Sequence, residues 1–409
     1  MALTGQLAWR YLRGKRSGNA VPVLSRISML AIAVGTCAMF VLFSVFNGFE
    51  NLIKDLYKAF YPEIKITAAK GKFFHLDEAQ LQQLKNINGI HYISQVIEDN
   101  VWLSANDEDG IATLKGVDTV YDYVNDIKPY IFEGKSSVID SPVANTIVGL
   151  HIANKLGLDP NNVFSKLHIF YPNPAVHNPA LNPAEALQSI QLQVDGVFQV
   201  QDEFDSKYLL ASLPVVQTLF LQEGNYSSLE IALNKDADAK EIKNKIESVL
   251  GGKYEAATRY EQNKTLYMVM RTEKWAVYAI LLLVLIIASF NMIGALTLLV
   301  IEKQKDIAIL KAMGATPVSI KKIFIIEGLL WALIGGIIGL IVGILLCYGQ
   351  LHFQWIKLQG AFIIEAYPVV MKITDLLLIL FTIVIIGLLA AWYPARRATV
   401  VEDPSLKAT

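Results

Sequence analysis

Cysteine is almost absent from this chain: Cys37 and Cys347 are the two in 409 residues, and both fall inside apolar runs far apart in sequence. That excludes a disulfide framework or a thiolate metal site as the organising principle. Charge is scarce too. Lys, Arg, Asp and Glu make up 18% of residues with a formal net charge of -1, so no surplus of one sign points to nucleic acid or to an acidic partner. His151, His168 and His177 follow no metal-ligand spacing and read as solvated or core side chains. There is no glycine-rich phosphate loop ending in Gly-Lys-Ser/Thr. Nor do a nucleophile, a base and an orienting group stand in a pattern that suggests catalysis, so no catalytic centre is expected.

What the chain has in abundance is apolar sequence. Hydrophobic residues make up 53% and mean hydropathy is +0.39, more than a soluble protein of this size carries. A helix crosses the hydrocarbon core with about 20 largely apolar residues. Four stretches qualify: Ile27 to Phe46, Trp275 to Ile301, Ile323 to Tyr348 and Leu376 to Trp392. The spans are placed at 27–48, 274–301, 323–349 and 374–392. The first is read as an anchor rather than a cleaved signal, because its run is long and no small-x-small site closes it.

Basic residues in short segments orient the spans. Arg10, Arg13, Lys15, Arg16 and Arg26 precede span one, Lys303, Lys305, Lys311, Lys321 and Lys322 lie between spans two and three, and Arg396 and Arg397 follow span four. These three segments are expected in the cytoplasm: an amphipathic N-terminal segment 1–26, a loop 302–322 and a tail 393–409. The loop 350–373 and the long segment 49–273 are then outside.

Segment 49–273 reads as stalk helices flanking an α+β domain with its own core. Alternation in Glu63-Ile64-Lys65-Ile66-Thr67 and Ile190-Gln191-Leu192-Gln193-Val194 predicts half-buried strands. Helices are expected from Glu78 to Asn86, capped by Asp77, and from Asp238 to Leu250. The polar stretches Phe49 to Phe60 and Glu261 to Lys274 lack Pro and Gly, so each membrane helix is expected to run on unbroken. A proline-rich stretch beginning at Tyr171 and Pro172 and continuing through Pro174, Pro179 and Pro183 excludes regular structure. It reads either as a docking loop or as a surface excursion.

The cytoplasmic loop is the most informative. Ile307, Leu310 and Met313 recur every third residue, with Ala308, Ile309 and Ala312 filling in, so a short helix with an apolar face in need of a partner is expected. Gly314 suits a left-handed helix end, and Thr316-Pro317 supplies an N-cap and first-turn proline for the next helix. In span three, Gly335, Gly339 and Gly343 form a small-residue ridge that permits close helix packing. Within the spans, only Glu327 near the start of span three and, just outside span four, Asp375 come close to being intramembrane ionisable residues, which gives little support to an ion path.

These residues resemble the FtsX-like permeases of ABC transporters, and within them the lipoprotein-releasing permeases of the LolC/LolE type. The resemblance covers nearly the whole chain. It is carried by Ala8-Trp9-Arg10-Tyr11-Leu12-Arg13-Gly14, by Ser44-Val45-Phe46-Asn47-Gly48-Phe49-Glu50, by the loop from Lys303 to Ala315, and by Tyr393-Pro394-Ala395-Arg396-Arg397-Ala398. Ile147-Val148-Gly149 with Ala153 to Leu158 is similar to the family's small-domain motif, with Asn161-Asn162 where Gly-Asp is common.

The resemblance implies a MacB/FtsX-like fold: four transmembrane helices in a bacterial inner membrane, both termini cytoplasmic, and a large α+β periplasmic domain between helices one and two. It implies that Lys305, Asp306, Ile307, Leu310, Lys311, Met313, Gly314 and Ala315 form a coupling helix seated in a separate ABC ATPase subunit. ATP would be held by a dimer of that subunit, with no cofactor on this chain. The other implied partners are a second permease protomer, identical or a paralogue, a lipoprotein cargo, a periplasmic lipoprotein carrier and membrane lipids. The proline-rich loop stands where such permeases carry a hook for the carrier. The alternative is an FtsX/MacB-type mechanotransmission permease serving peptide or drug export, or activating a cell-wall hydrolase.

Overall fold

The computed structural model describes residues 21–135, 145–162, 164–173, 176, 186–357 and 366–400. Contacts divide the chain into two units, one built on apolar helices and the other on Leu52–Met268.

Among the described residues, the first unit contains four helices long and apolar enough to cross a membrane, Val21–Tyr57, Lys264–Glu302, Pro317–Phe353 and Ile373–Val400, called spans one to four below. In hydrocarbon a helix satisfies every backbone donor and acceptor internally, which is why such sequences fold this way. Met292, Leu296, Phe324, Trp331, Ile379 and Ala391 meet in their common core. Span three packs through glycine on two sides. A Cβ added at Gly335 would stand 2.6 Å from the Met29 carbonyl oxygen, and one at Gly339 2.3 Å from that of Ala33. On the other side, a Cβ at Gly328 would stand 2.6 Å from Ala391, and one at Gly336 2.6 Å from Ile383. The glycine ridge is therefore used within the chain, against span one. Span four continues helically through the Tyr393-to-Ala398 motif with Pro394 inside the helix, and Ala395 and Ala398 are fully buried.

In the second unit, the described strands are β1 (Ile64–Ala68), β2 (Ile90–Ala105), β3 (Glu108–Val117), β4 (Ile131–Gly134), β5 (Asn145–Gly149), β6 (Lys166–Pro172), β7 (Leu187–Phe198), β8 (Tyr208–Ser212), β9 (Ser228–Leu233) and β10 (Tyr254–Thr258). They form one sheet in the order β10-β1-β9-β2-β3-β8-β5-β7-β4, with β6 paired to both β2 and β7. β2 and β3 make a long hairpin turned at Asn106 and Asp107, both with positive φ (51° and 62°), the conformation a right-twisted two-residue turn requires. The expected alternation is present: Ile64 and Ile66 are fully buried in a cluster with Leu229, Ile231 and Ile246. Gly149 ends β5 where a Cβ would lie 2.2 Å from the Asp205 carbonyl oxygen. Gly157 closes the following helix, Leu150–Leu156, in the left-handed conformation.

Three local expectations need correction. Asp77 stands before the helix Glu78–Lys85 but makes no side-chain cap bond, whereas Asp238 caps Ala239–Leu250 by accepting from the Lys240 N–H at 2.8 Å. The second stalk is broken: a short helix, Arg259–Gln262, begins in a Thr258/Glu261 capping box, and Asn263 leaves helical geometry before Lys264. The cap fixes the chain at Thr258, and a second start follows. The first stalk ends at Tyr57 because Phe60 turns into a ring cluster, stacked at 4.9 Å on both Phe204 and Tyr208.

Asp205 is buried beside this cluster and accepts from the Val200 N–H at 2.8 Å. Burial pushes its carboxyl up to about 6, the backbone donors only partly opposing it. A carboxyl raised in the folded state binds its proton more tightly there than in the unfolded chain, so its contribution is full at low pH and is lost as pH rises from about 4 through 6. Asp205→Asn should flatten this decline, worth about 3 kcal/mol. Denaturation midpoints of the full-length protein in detergent at pH 4 and pH 7 check it.

Candidate functional site

The loop between spans two and three is built as a helix, a stop and a second helix. The first helix is Gln304–Ala312. Gly314 follows with φ +88° and open space around it, so its backbone conformation and not crowding calls for glycine. The Ala315 N–H reaches the Leu310 carbonyl at 2.9 Å and the Gly314 N–H reaches that of Lys311 at 3.0 Å, the Schellman arrangement. Thr316 then caps span three, accepting from the Ser319 N–H at 3.3 Å, with Pro317 in the first turn.

The three residues expected to form one outward ridge are split. Ile307 is buried in the core of the span unit and Leu310 is half-buried, whereas Met313 is 79% exposed. The outward apolar residues are Ile309, 59% exposed, and Met313, four positions apart on one face, followed by Val318. Lys305 and Lys311 are exposed around them, Asp306 pairs with Lys303 at 2.8 Å, and Ala315 packs half-buried against the core. The three-residue steps from Ile307 through Leu310 to Met313 pass from the buried face of the helix to its exposed face. The four-residue step from Ile309 to Met313 was the signal that separated them.

A second constellation was not visible as such in the sequence. Asn47 in span one is fully buried and donates to the Asp375 carboxylate at 2.6 Å and to the Val370 carbonyl at 3.2 Å. The Lys274 ammonium of span two donates to the Asn47 amide oxygen at 2.9 Å and lies 3.2 Å from the Asp375 carboxylate of span four. Its charge also lies 5.3 Å from the centre of the Phe43 ring. The neighbours of Asn47 complete the joint. A Cβ at Gly48 would stand 2.1 Å from the Pro368 carbonyl oxygen, Phe49 meets Tyr367 edge to face at 5.4 Å, and Glu50 pairs with Lys372 at 3.4 Å. The motif Asn47-Gly48-Phe49 thus has a physical basis in the chain that precedes span four.

Tyr171 and Pro172, assigned to the proline-rich loop, end strand β6. Tyr171 is fixed there by a 2.9 Å hydrogen bond to Asp99 and by packing on Phe220 at 4.3 Å. Pro174, Pro179, Pro183 and His177 lie outside the described residues, as do the segment 1–20 and the tail beyond Val400. His168 pairs with Gln191 at 2.9 Å and His151 lies 3.5 Å from Asp202. Among the described residues no group of three His, Cys, Asp or Glu is placed to hold a metal ion.

Among the described residues, four membrane-length helices, a sheet-based domain inserted between the first and second, and a structured loop between the second and third define the architecture of a multi-pass membrane protein. Residues 25–249, more than half of the chain, match the MacB-like periplasmic core domain, and residues 278–401 match the FtsX-like permease C-terminal family. The chain belongs to the FtsX-like permeases that carry a MacB-like periplasmic core. It is 25% identical to the lipoprotein-releasing system transmembrane protein LolE of Haemophilus influenzae, over 96% of each chain. It is 23% identical to LolC of Xylella fastidiosa, over 98% of this chain and 97% of that one. The crystal structure of the periplasmic region of MacB from Actinobacillus actinomycetemcomitans aligns with a TM-score of 0.37, covering 53% of this chain and 98% of that one at 12% identity.

Proposed function

We propose that this chain is the permease subunit of an ATP-driven complex in the bacterial inner membrane that lifts lipoproteins out of the bilayer and passes them to a periplasmic carrier. The full-length likeness to LolE and LolC supports the cargo. The observation that carries the mechanism is the helix Gln304–Ala312, fixed to the span core by Ile307 and offering Ile309 and Met313 outward. The chain has no phosphate loop of its own, so ATP belongs to a separate ATPase dimer, and this helix is the part that seats in it. Lys305, Lys311 and the Gly314-Ala315 stop frame the contact. Two such permeases, identical or paired with a paralogue, face each other, with loop and termini in the cytoplasm.

The need for ATP follows from the cargo. Each buried CH₂ of an acyl chain resists extraction by about 0.8 kcal/mol, so a multiply acylated protein leaves a bilayer very slowly unaided. ATPase closure would displace the coupling helices, and the membrane helices would pass that displacement to the periplasmic domains.

Met313→Asp and Ile309→Asp, each placing an unpaired charge in the seat, should weaken ATPase binding about tenfold or more. ATP-driven transfer of lipoprotein from proteoliposomes to a soluble carrier should fall with it. Native transfer by both variants, or cleavage of the loop by protease added on the periplasmic side, would overturn the reading. A complex that binds the ATPase but moves a peptide or drug, or activates a wall hydrolase, would assign the chain to the other FtsX-like mechanisms.

A further inference from the structure

Span one and the chain leading into span four are joined at backbone level. The Val370 N–H donates to the Ser44 carbonyl at 2.9 Å, Asn47 donates to the Val370 carbonyl, and Gly48 lies directly on Pro368. Such a joint separates only if main-chain groups lose their hydrogen-bond partners. Span two meets this clasp differently, through side-chain tips: the Lys274 ammonium on Asn47 and Asp375, and the Tyr278 hydroxyl 3.0 Å from the Thr382 hydroxyl. The Lys274 side chain is 28% exposed and longer than any of its partners', so its ammonium can leave the carboxylate and snorkel toward the end of the span without unpacking its neighbours.

We infer that Lys274 is the releasable tether of span two: its hold on Asn47 and Asp375 keeps the ends of spans one, two and four together at rest, and its release lets span two part from the span-one and span-four clasp during the ATP cycle. The inference deepens the transport reading and rests on it for the cycle, but not for the resting tether. Asn47 and Asp375 are positioning residues here, since Asn47 holds the carboxylate with its amide N–H and the ammonium with its amide oxygen. The contrast is physical. A clasp made through the main chain opens only by breaking main-chain hydrogen bonds, whereas a half-buried ammonium on a flexible four-carbon stem reorients without unfolding its neighbours.

The test is a distance measurement on the full-length protein in lipid nanodiscs, with spin labels at Leu42→Cys and Ile280→Cys and with Cys37→Ala and Cys347→Ala. Without nucleotide, the chain carrying native Lys274 should give a single short-distance population. Lys274→Met keeps the stem and removes the charge, and should add a longer-distance population; Lys274→Arg should retain the short one. Asp375→Asn repeats the test from the other partner should Lys274→Met fail to insert. An unchanged distribution in Lys274→Met and Asp375→Asn, or an arginine variant as loose as the methionine one, overturns the tether. In the ATPase complex, a non-hydrolysable ATP analogue should drive the native-Lys274 chain to the distance that Lys274→Met shows at rest, which a purely structural contact would not do. ATP-driven transfer with the distance still short also overturns it. The resting measurement needs neither ATPase nor cargo, so failure of the lipoprotein reading and failure of the tether are separately visible.

Discussion

Gly339→Leu should leave the protein unable to assemble its membrane helices. A Cβ at this position would stand 2.3 Å from the Ala33 carbonyl oxygen and 2.9 Å from Thr36 Cβ, so the first new atom already overlaps backbone on span one. Core overpacking by flexible neighbours typically costs about 1–3 kcal/mol. Here the obstacle is a helix carbonyl that cannot rotate away, and relief requires the two helices to separate along their length. In a bilayer no hydrophobic force draws them together again, because close packing is itself the main attraction.

The ridge supplies its own graded series with alanine. Gly339→Ala should be worst, Gly335→Ala next, with 2.6 Å to the Met29 carbonyl, and Gly343→Ala mild, because the nearest atom is the Phe40 ring at 3.1 Å. Gly294→Leu in span two, where a Cβ meets nothing within 4 Å, is the control. Monodispersity on size exclusion and resistance to trypsin in detergent rank the four. A ranking that ignores the backbone distances, or a Gly339→Leu protein as stable as Gly294→Leu, would refute the packing account.

The membrane half was legible in the sequence because its determinants are local. Apolar runs set the spans, and Gly314 and Thr316-Pro317 announced a helix stop and start within three residues of one another. The glycine spacing announced close packing, although not that span one was the neighbour. What could not be read was anything made by contacts distant in sequence. Asn47 and Asp375 are 328 residues apart, and nothing in the local pattern of either marks it as the other's partner. Lys274 read as the last polar residue before a span and proved to be part of a buried joint. The direction of Ile307 was missed for a related reason: periodicity says that a helix has an apolar face but not which face its own protein covers. In the periplasmic domain the alternation of β1 and β7 was visible, whereas the parallel pairings of β3 with β8 and β5 with β7 depend on the whole topology.

The most consequential of these hidden contacts lies at the centre of the sheet. Lys115 on β3 and Glu230 on β9 are both fully buried and pair at 2.8 Å, with Asn125 donating to the second carboxylate oxygen at 2.5 Å. Lys115 also lies 5.0 Å from the centre of the Tyr121 ring. Burial alone would drive the Lys115 proton off, but Glu230 and Glu98 outweigh it and the ammonium stays charged. Glu98 reports the same field. Burial raises its carboxyl, yet Lys65, at 2.7 Å, and Lys115 bring it down to about 2.

Lys115→Met keeps the stem and strands the Glu230 carboxylate, which should destabilise the domain by about 3–5 kcal/mol. Hydrogen exchange of β2, β3 and β9 in the full-length protein should then quicken by roughly a hundredfold or more. Lys115→Met with Glu230→Gln removes both charges while leaving an amide oxygen for Asn125, and should recover much of that protection, because neutral side chains do not carry the desolvation cost of an ion pair. The asymmetry between single and double variants separates a pair that is costly to break from one that is necessary to fold. Equal loss in both would mean that the sheet centre depends on the charges themselves, and the account of the pair as a matched burial would be wrong.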